Sequence, residues 1–293
     1  MRVGIVGTGE LADALATLCR AAQAEIVVGP RGAEHWTVQP DLAALVAESD
    51  LTLLVVPGRE LRLTVKAMAP GPAARVVVAT RGLEPGTGRR FSEIVREESA
   101  CLRVGVLAGP ILPGEVRRGS PCAAVVASAF DEVAKLAMQA LTSPMCRVYP
   151  SHDVAGVETA GALVEVLAIA FGVARGLGLG VGAQAMIVTR GIAEGARLAS
   201  RQEGDARTFA GLAGVGELVV SANLPDHPAH LRGLALARGV KDPDAVLLCD
   251  ALLARERDMP ITAAVRALAM GEAKASKVLA GLMAREFREE FDA

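Results

Sequence analysis

The spacing of apolar positions changes near the middle of this chain, and the change divides it in two. In the first half, short and nearly continuous apolar runs alternate with amphipathic stretches. RVGIV (2–6), EIVV (25–28), LTLLVV (51–56), RVVVA (75–79), RVGVLA (103–108), CAAVVA (122–127) and residues 146–149 have strand length and β-branched content. Between them, apolar residues at helical spacing predict helices at about 10–21, 41–48, 59–68, 87–98 and 130–141. Strands that are apolar throughout, alternating with helices, imply a mostly parallel sheet covered on both faces.

From about Asp153 the strand signal stops. Long Ala/Leu/Gly-rich segments predict helices at about 153–176, 182–201, 227–238, 242–256, 260–269 and 272–290, and VLL at 246–248 reads as helix. Breaks fall at GLGLG (176–180), Gly204-Asp205 and Asp258-Met259-Pro260. The expected architecture is therefore α/β plus all-α: a parallel-sheet domain over residues 1–150 and a helical domain over 151–293, with the boundary near Pro150-Ser151. The helix at 153–176 is the candidate to hold the two together.

Composition narrows the class. Apolar residues make up 52% of the 293 and aromatics only 3%, so the cores are built from Ala, Val and Leu. A net charge of −2 gives no reason to expect nucleic acid or an anionic membrane as partner, and Arg89-Arg90 and Arg117-Arg118 read as solvated faces. By inspection no apolar run reaches the ~18 residues of a membrane span. The first strand starts at Arg2 without a leader pattern, so a cytoplasmic protein is expected. Five cysteines without a CxxC pair suit a reducing compartment. His227 and His230 stand three apart in a Pro-rich loop, where a metal site is not favoured.

The strongest motif follows the first strand. Gly7-Thr8-Gly9-Glu10-Leu11-Ala12 is GxGxxA between a strand and a helix, with a second strand after it. The first glycine permits a tight turn and the second a close approach to a pyrophosphate. Ala12 allows helix and strand to pack closely, and the helix start supplies free N–H groups. A dinucleotide is the expected ligand. The second strand ends Val28-Gly29-Pro30-Arg31, with an arginine and no acid, which favours NADP over NAD. Glu10 is either a solvated acid favoured by the helix dipole or a mark of an altered cofactor site.

VGIVGTGELADALA, DLTLLVVP, TRGLEPGTGRRFSEI, Gly109-Pro110, GEVRRGSPCAAVVAS, GVETAGALVEVLAIAFGVARGLGLG, TRGIAE and FAGLAGVGELVVS, in that order, resemble the bacterial-type NAD(P)-dependent glycerol-3-phosphate dehydrogenases. The resemblance runs from residue 1 to about 240. It implies an N-terminal Rossmann domain, a helical C-terminal domain, and hydride transfer between dihydroxyacetone phosphate and glycerol 3-phosphate. A small-molecule substrate and a homodimer are implied with it. Pro57, closing DLTLLVVP, joins residues 7–12 and Arg31 at the cofactor.

The family's catalytic positions fall on altered residues. The lysine of K-G-[IL]-E falls on Arg81. The lysine and asparagine of G-A-L-K-N fall on Val164 and Glu165. The aspartate of G-L-G-D-L is Glu217, and the hydroxyl residue four further on is Ser221. The Arg-Asn pair that grips the substrate phosphate falls on Pro228 and Ala229. Ketone reduction needs a donor that protonates the nascent alkoxide, and valine has none. These changes at 164, 165, 228 and 229 remove two positive charges and add a negative one where a phosphate dianion belongs. One charge at ~4–5 Å is worth roughly 3–4 kcal/mol at an effective dielectric of ~20. His230, Arg232 and Arg117 are the candidate compensating cations. Glu158 and Glu165, seven apart on one helix, are either structural groups or, with Glu217, the walls of an acidic pocket. Three functions are therefore open: a dehydrogenase of this type with substitute groups, a dehydrogenase for a non-phosphorylated substrate, and a catalytically silent nucleotide-binding module.

Overall fold

The computed structural model describes residues 1–29, 37, 38, 41–201, 204–224 and 226–284. Two compact units emerge, Met1–Glu84 with Arg89–Glu158, and Pro85–Gly88 with Thr159–Ala293.

The first unit carries one eight-stranded sheet in the order β3-β2-β1-β4-β5-β6-β7-β8. Its strands are β1 (Arg2–Val6), β2 (Glu25–Val28), β3 (Thr37–Val38), β4 (Leu51–Leu54), β5 (Arg75–Val78), β6 (Arg103–Ala108), β7 (Cys122–Ser128) and β8 (Cys146–Ser151). All pairings are parallel except β6 with β7. The connection from β6 to β7 carries only α5 (Pro113–Arg117), a single turn, in place of the longer helix of a usual parallel crossover. The covering helices are α1 (Glu10–Ala21), α2 (Leu42–Glu48), α3 (Gly58–Met68), α4 (Phe91–Glu98) and α6 (Asp131–Leu141). Val3, Ile5, Leu51, Leu53 and Val77 are wholly buried, as a sheet covered on both faces requires. The long segments predicted between residues 2 and 141 are all present, with ends shifted by a few residues. β3 and α5 are too short to show a period.

The second unit is helical. It holds most of α7 (Val154–Gly176), then α8 (Val181–Arg201), α9 (Ala206–Phe209), a π turn (Leu212–Gly216), α10 (Glu217–Asn223), α11 (Pro228–Ala237), α12 (Pro243–Leu253), α13 (Pro260–Met270) and α14 (Ala275–Met283). Among the described residues no strand follows β8. α7 passes from one unit into the other at Glu158/Thr159, eight residues beyond the expected boundary near 150. Contrary to expectation, α7 is long and apolar enough by length and composition to cross a membrane. Its most apolar stretch is 83% buried within the protein, so its apolar surface is spent on the core. A nearly all-round apolar helix of this kind belongs inside a domain.

Polar groups secure helix starts in both units. Glu158, buried at the boundary, accepts hydrogen bonds from the Ser92 backbone N–H (2.8 Å) and the Ser92 hydroxyl at the start of α4. Glu194 of α8 likewise accepts from Ile261 N–H, Thr262 N–H and the Thr262 hydroxyl at the start of α13. In each case a carboxylate satisfies amides that a helix start leaves open.

Candidate active site

β1 delivers the chain into the glycine turn. Gly7 has φ +141°, and a Cβ there would lie 1.9 Å from the Val55 carbonyl oxygen. No side chain fits, and the turn hugs the end of β4. Gly9 has φ +116° with nothing within 4 Å of where its Cβ would stand. It opens α1 without a side chain to cap the first turn, so the amides there are free to receive an anion. Thr8 and Glu10 are exposed, and Ala12 is buried against the sheet. The turn therefore has the shape and the donors for a pyrophosphate, and a dinucleotide cofactor fits these residues.

Glu10 faces Arg117 of α5, with Nη2 3.1 Å from Oε1. Its charge at the loop is thereby offset. Arg117 is committed to this pair in the first unit, so it is not a spare cation for a substrate phosphate. The other basic pair expected to be solvated is also ion-paired, Arg89 with Glu97 and Arg90 with Glu93. Arg31 and Pro30 lie outside the described residues.

Two further loops follow β4 and β5. Pro57 precedes α3 as its N-cap, and the Thr80 hydroxyl donates to the Val56 carbonyl (2.8 Å), tying the loops together. Arg81 is exposed beside Thr80, ahead of Gly82 at φ +100°. Two residues on, the Glu84 carboxylate receives Arg62 through two hydrogen bonds of 2.7 and 2.8 Å.

In the second unit, α7 and α11 cross at backbone contact. A Cβ on Gly172 would lie 2.0 Å from the His230 carbonyl oxygen, and one on Gly233 would lie 2.0 Å from that of Ile169. This crossing brings Arg232 onto Glu165, with Nη1 2.9 Å from Oε1. On its other side Arg232 meets Asp242, at 2.7 Å through Nε and 3.1 Å through Nη2. Burial pulls the Arg232 guanidinium down, but the hydrogen bonds and charges of Asp242 and Glu165 outweigh it and hold the pKa above its usual value. Asp242 also caps α12, accepting from Ala245 N–H (3.0 Å). Arg232 thus serves two carboxylates, and the cluster is net negative. It offers no surplus positive charge.

Of the remaining matched positions, four are buried and Pro228 is exposed. Val164 is 4% exposed on α7, Glu217 2% and Ser221 1% on α10, and Ala229 0% on α11. The Ser221 hydroxyl donates to the Glu217 carbonyl at 3.0 Å. Pro228 is the first residue of α11, where its missing N–H costs nothing. His230 is wholly buried, with Nδ1 3.5 Å from the Ser221 carbonyl and Nε2 without a hydrogen-bond partner.

Glu158 and Glu165 have different partners. Glu158 is bound to Ser92 in the first unit, while Glu165 belongs to the Arg232 cluster in the second. The seven-residue spacing on one helix was real, but the helix passes between units over that interval. Asp242 was missed as a partner of Arg232. Its Asp-Pro start to α12 signals a helix cap, not an ion pair ten residues back. Among the described residues no cluster of three metal-binding side chains occurs.

The family models place this architecture. The N-terminal model of NAD-dependent glycerol-3-phosphate dehydrogenase matches residues 31–134, and the C-terminal model matches residues 153–280. A glycerol-3-phosphate dehydrogenase [NAD(P)+] of Bradyrhizobium sp. is 33% identical over 320 aligned positions, covering 98% of each chain. The enzyme of the same name from Methylibium petroleiphilum is 38% identical over 270, covering 87% of this chain and 81% of its own. The crystal structure of glycerol-3-phosphate dehydrogenase from Coxiella burnetii superposes with a TM-score of 0.87 at 26% identity, covering 97% of this chain and 99% of that one.

Proposed function

Because the chain belongs to the NAD(P)-dependent glycerol-3-phosphate dehydrogenase family, we propose that it is an oxidoreductase for the dihydroxyacetone phosphate/glycerol 3-phosphate pair, with slow turnover. The observation that carries this is the glycine turn, where Gly7 is pressed on Val55 and Gly9 leaves open space before the free amides of α1. Residues 7–12 hold the pyrophosphate, with Pro57 at the next loop. Arg31 favours NADP. A nicotinamide dinucleotide held there would supply the hydride chemistry.

The chain's own residues then set the rate. An alkoxide forming at the substrate carbon needs a proton as it forms. Val164 holds none, and the Ser221 hydroxyl is committed to the Glu217 carbonyl. Arg81 is the one cation among the positions matched to the family's substrate residues. It offers fixed positive charge but no proton exchange near neutral pH. Attraction without proton transfer leaves binding weak and chemistry slow.

A homodimer and a cytoplasmic location belong to the same proposal; the second is supported by five free thiols. Light scattering tests the dimer. Calorimetry with NADPH and NADH tests the cofactor site, followed by dihydroxyacetone phosphate-dependent loss of nicotinamide absorbance. Saturable binding with slow substrate-dependent oxidation is expected. No heat at about 1 mM of either cofactor, a limit of roughly 4 kcal/mol, overturns the proposal.

A further inference from the structure

We propose that Cys122 and Cys146 form a thiol oxidation site that reacts with hydroperoxides and closes to an intramolecular disulfide across β7 and β8. The two are register partners at the start of the parallel pair. Neighbouring strands run about 4.8 Å apart, and register partners project to the same face. That places the Cα atoms inside the ~4.4–6.8 Å window a disulfide needs. The backbone is pinned on both sides. Cys122 N–H donates to the Met145 carbonyl at 2.8 Å, and Ser143 and Cys146 exchange hydrogen bonds of 2.9 and 3.2 Å.

The partners differ in the way a reactive pair requires. Cys146 is buried, as are Cys19, Cys101 and Cys249, whereas Cys122 is half-buried. The two thiols lie within hydrogen-bonding reach of each other, and the bond from Cys146 pulls the Cys122 thiol below its usual pKa. Burial pushes Cys19 and Cys249 up to about 12, leaving them inert. Cys122 is therefore the attacking group and Cys146 the resolving one.

In the first step the Cys122 thiolate attacks a peroxide oxygen. The S–O bond forms, the O–O bond breaks, and the leaving oxygen takes up from solvent the proton that the Cys122 thiol released on ionising, departing as water (or, for an organic hydroperoxide, as the alcohol). In the second step the Cys146 sulfur attacks the sulfenic sulfur of Cys122. The S–S bond forms, and the hydroxyl leaves as water with the Cys146 proton. Two thiols give two electrons to one peroxide. A small, uncharged oxidant suits a half-buried thiol.

The test uses the full chain treated with hydrogen peroxide, then denatured for thiol counting and digested with trypsin. Lys135 separates the two cysteines into different peptides. The count of five free thiols should fall by two, with one linked peptide pair containing Cys122 and Cys146, reversed by dithiothreitol. Cys146→Ser should stop at a Cys122 sulfenic acid trapped by a dicarbonyl reagent, and Cys122→Ser should keep its remaining thiols at the same dose. Five thiols after treatment of the unmodified chain, or a linkage joining any other pair, overturns the proposal. Peptide mapping of the unmodified chain decides this even if either variant folds poorly.

Discussion

The glycine turn after β1 and the crossing of α7 with α11 are both built on backbone contact, yet they serve different ends. At the turn, a Cβ on Gly7 would stand 1.9 Å from a carbonyl oxygen; at the crossing, one on Gly172 or Gly233 would stand 2.0 Å from one. The turn leaves main-chain amides open, so what it can offer an anion lies in the backbone. The crossing only brings side chains together. On the matching proposed above, Val164, Glu165, Pro228 and Ala229 stand on this scaffold where the family carries lysine, asparagine and arginine. Fold and chemistry are coupled in the first region and separable in the second. Such a separation would let a chain keep a dehydrogenase framework while its substrate end changes.

The largest expected effect probes the turn. Gly9→Asp puts a charge where the open space before α1 now lies, and repulsion from a pyrophosphate at ~4 Å is worth about 4 kcal/mol at a dielectric of ~20. Affinity for NADPH should fall about a thousandfold. The left-handed φ also costs about 1–3 kcal/mol of folding free energy, which a melting curve measures separately. Unchanged affinity in a folded variant would show that the cofactor binds elsewhere.

A second experiment asks whether the substrate end is separable from the scaffold. Turnover of dihydroxyacetone phosphate by the unmodified protein should lie below about 10 per second, near the enzyme median. Val164→Lys alone should restore little, because it inserts a lysine at a position 4% exposed, where burial discourages its charge. Adding Glu165→Asn, Pro228→Arg and Ala229→Asn should raise turnover by about a hundredfold, since groups that act as a unit are not additive. Ala229 is wholly buried, so the melting temperature of the combined variant must be checked before its rate is interpreted. Full activity in the unmodified chain would mean that another group has taken over the lysine's role.

These differences explain what could be read from sequence. GxGxxA could be read because its geometry is local: strand, turn and helix lie within twenty residues and each requires its residue type. The long helices were legible by period for the same reason. The pairing of Glu10 with Arg117, 107 positions away, was not legible. Neither was the bridge from Glu165 to Arg232 and Asp242. Such pairs depend on which helix faces meet, and periodicity marks a buried face without naming its neighbour. Glu158 shows the reverse failure. Its spacing from Glu165 left a structural group and a pocket wall equally open, and the bond to Ser92, 66 residues earlier, fits the structural one.

A third test concerns the scaffold of the helical unit. Burial raises the Glu194 carboxyl from 4.5 to about 7, and the donors Ile261 and Thr262 offset this only in part. The folded state thus holds the proton more tightly than the unfolded chain. Stability from this group is complete below the unfolded pKa and declines as pH rises towards about 7, by about 3 kcal/mol in all. The melting temperature should drop by several degrees across that window, and Glu194→Gln should flatten the slope. An unchanged slope in the variant would assign the pH dependence to other groups.

The smallest expected effect cuts most finely between the regions. Glu165→Asn removes one negative charge beside Arg232 and leaves the two bonds to Asp242 in place. Both partners of the lost pair are about 30% exposed, so solvent screens the change and about 1 kcal/mol is the scale. If net charge is what weakens phosphate binding here, KM for dihydroxyacetone phosphate should fall about fivefold. The substitution supplies no proton, so kcat should stay where it was. A KM effect without a kcat effect is the signature of ground-state binding alone. The opposite split, kcat altered with KM unchanged, would make Glu165 part of the chemistry. Val164 would then no longer be sufficient reason for slow turnover.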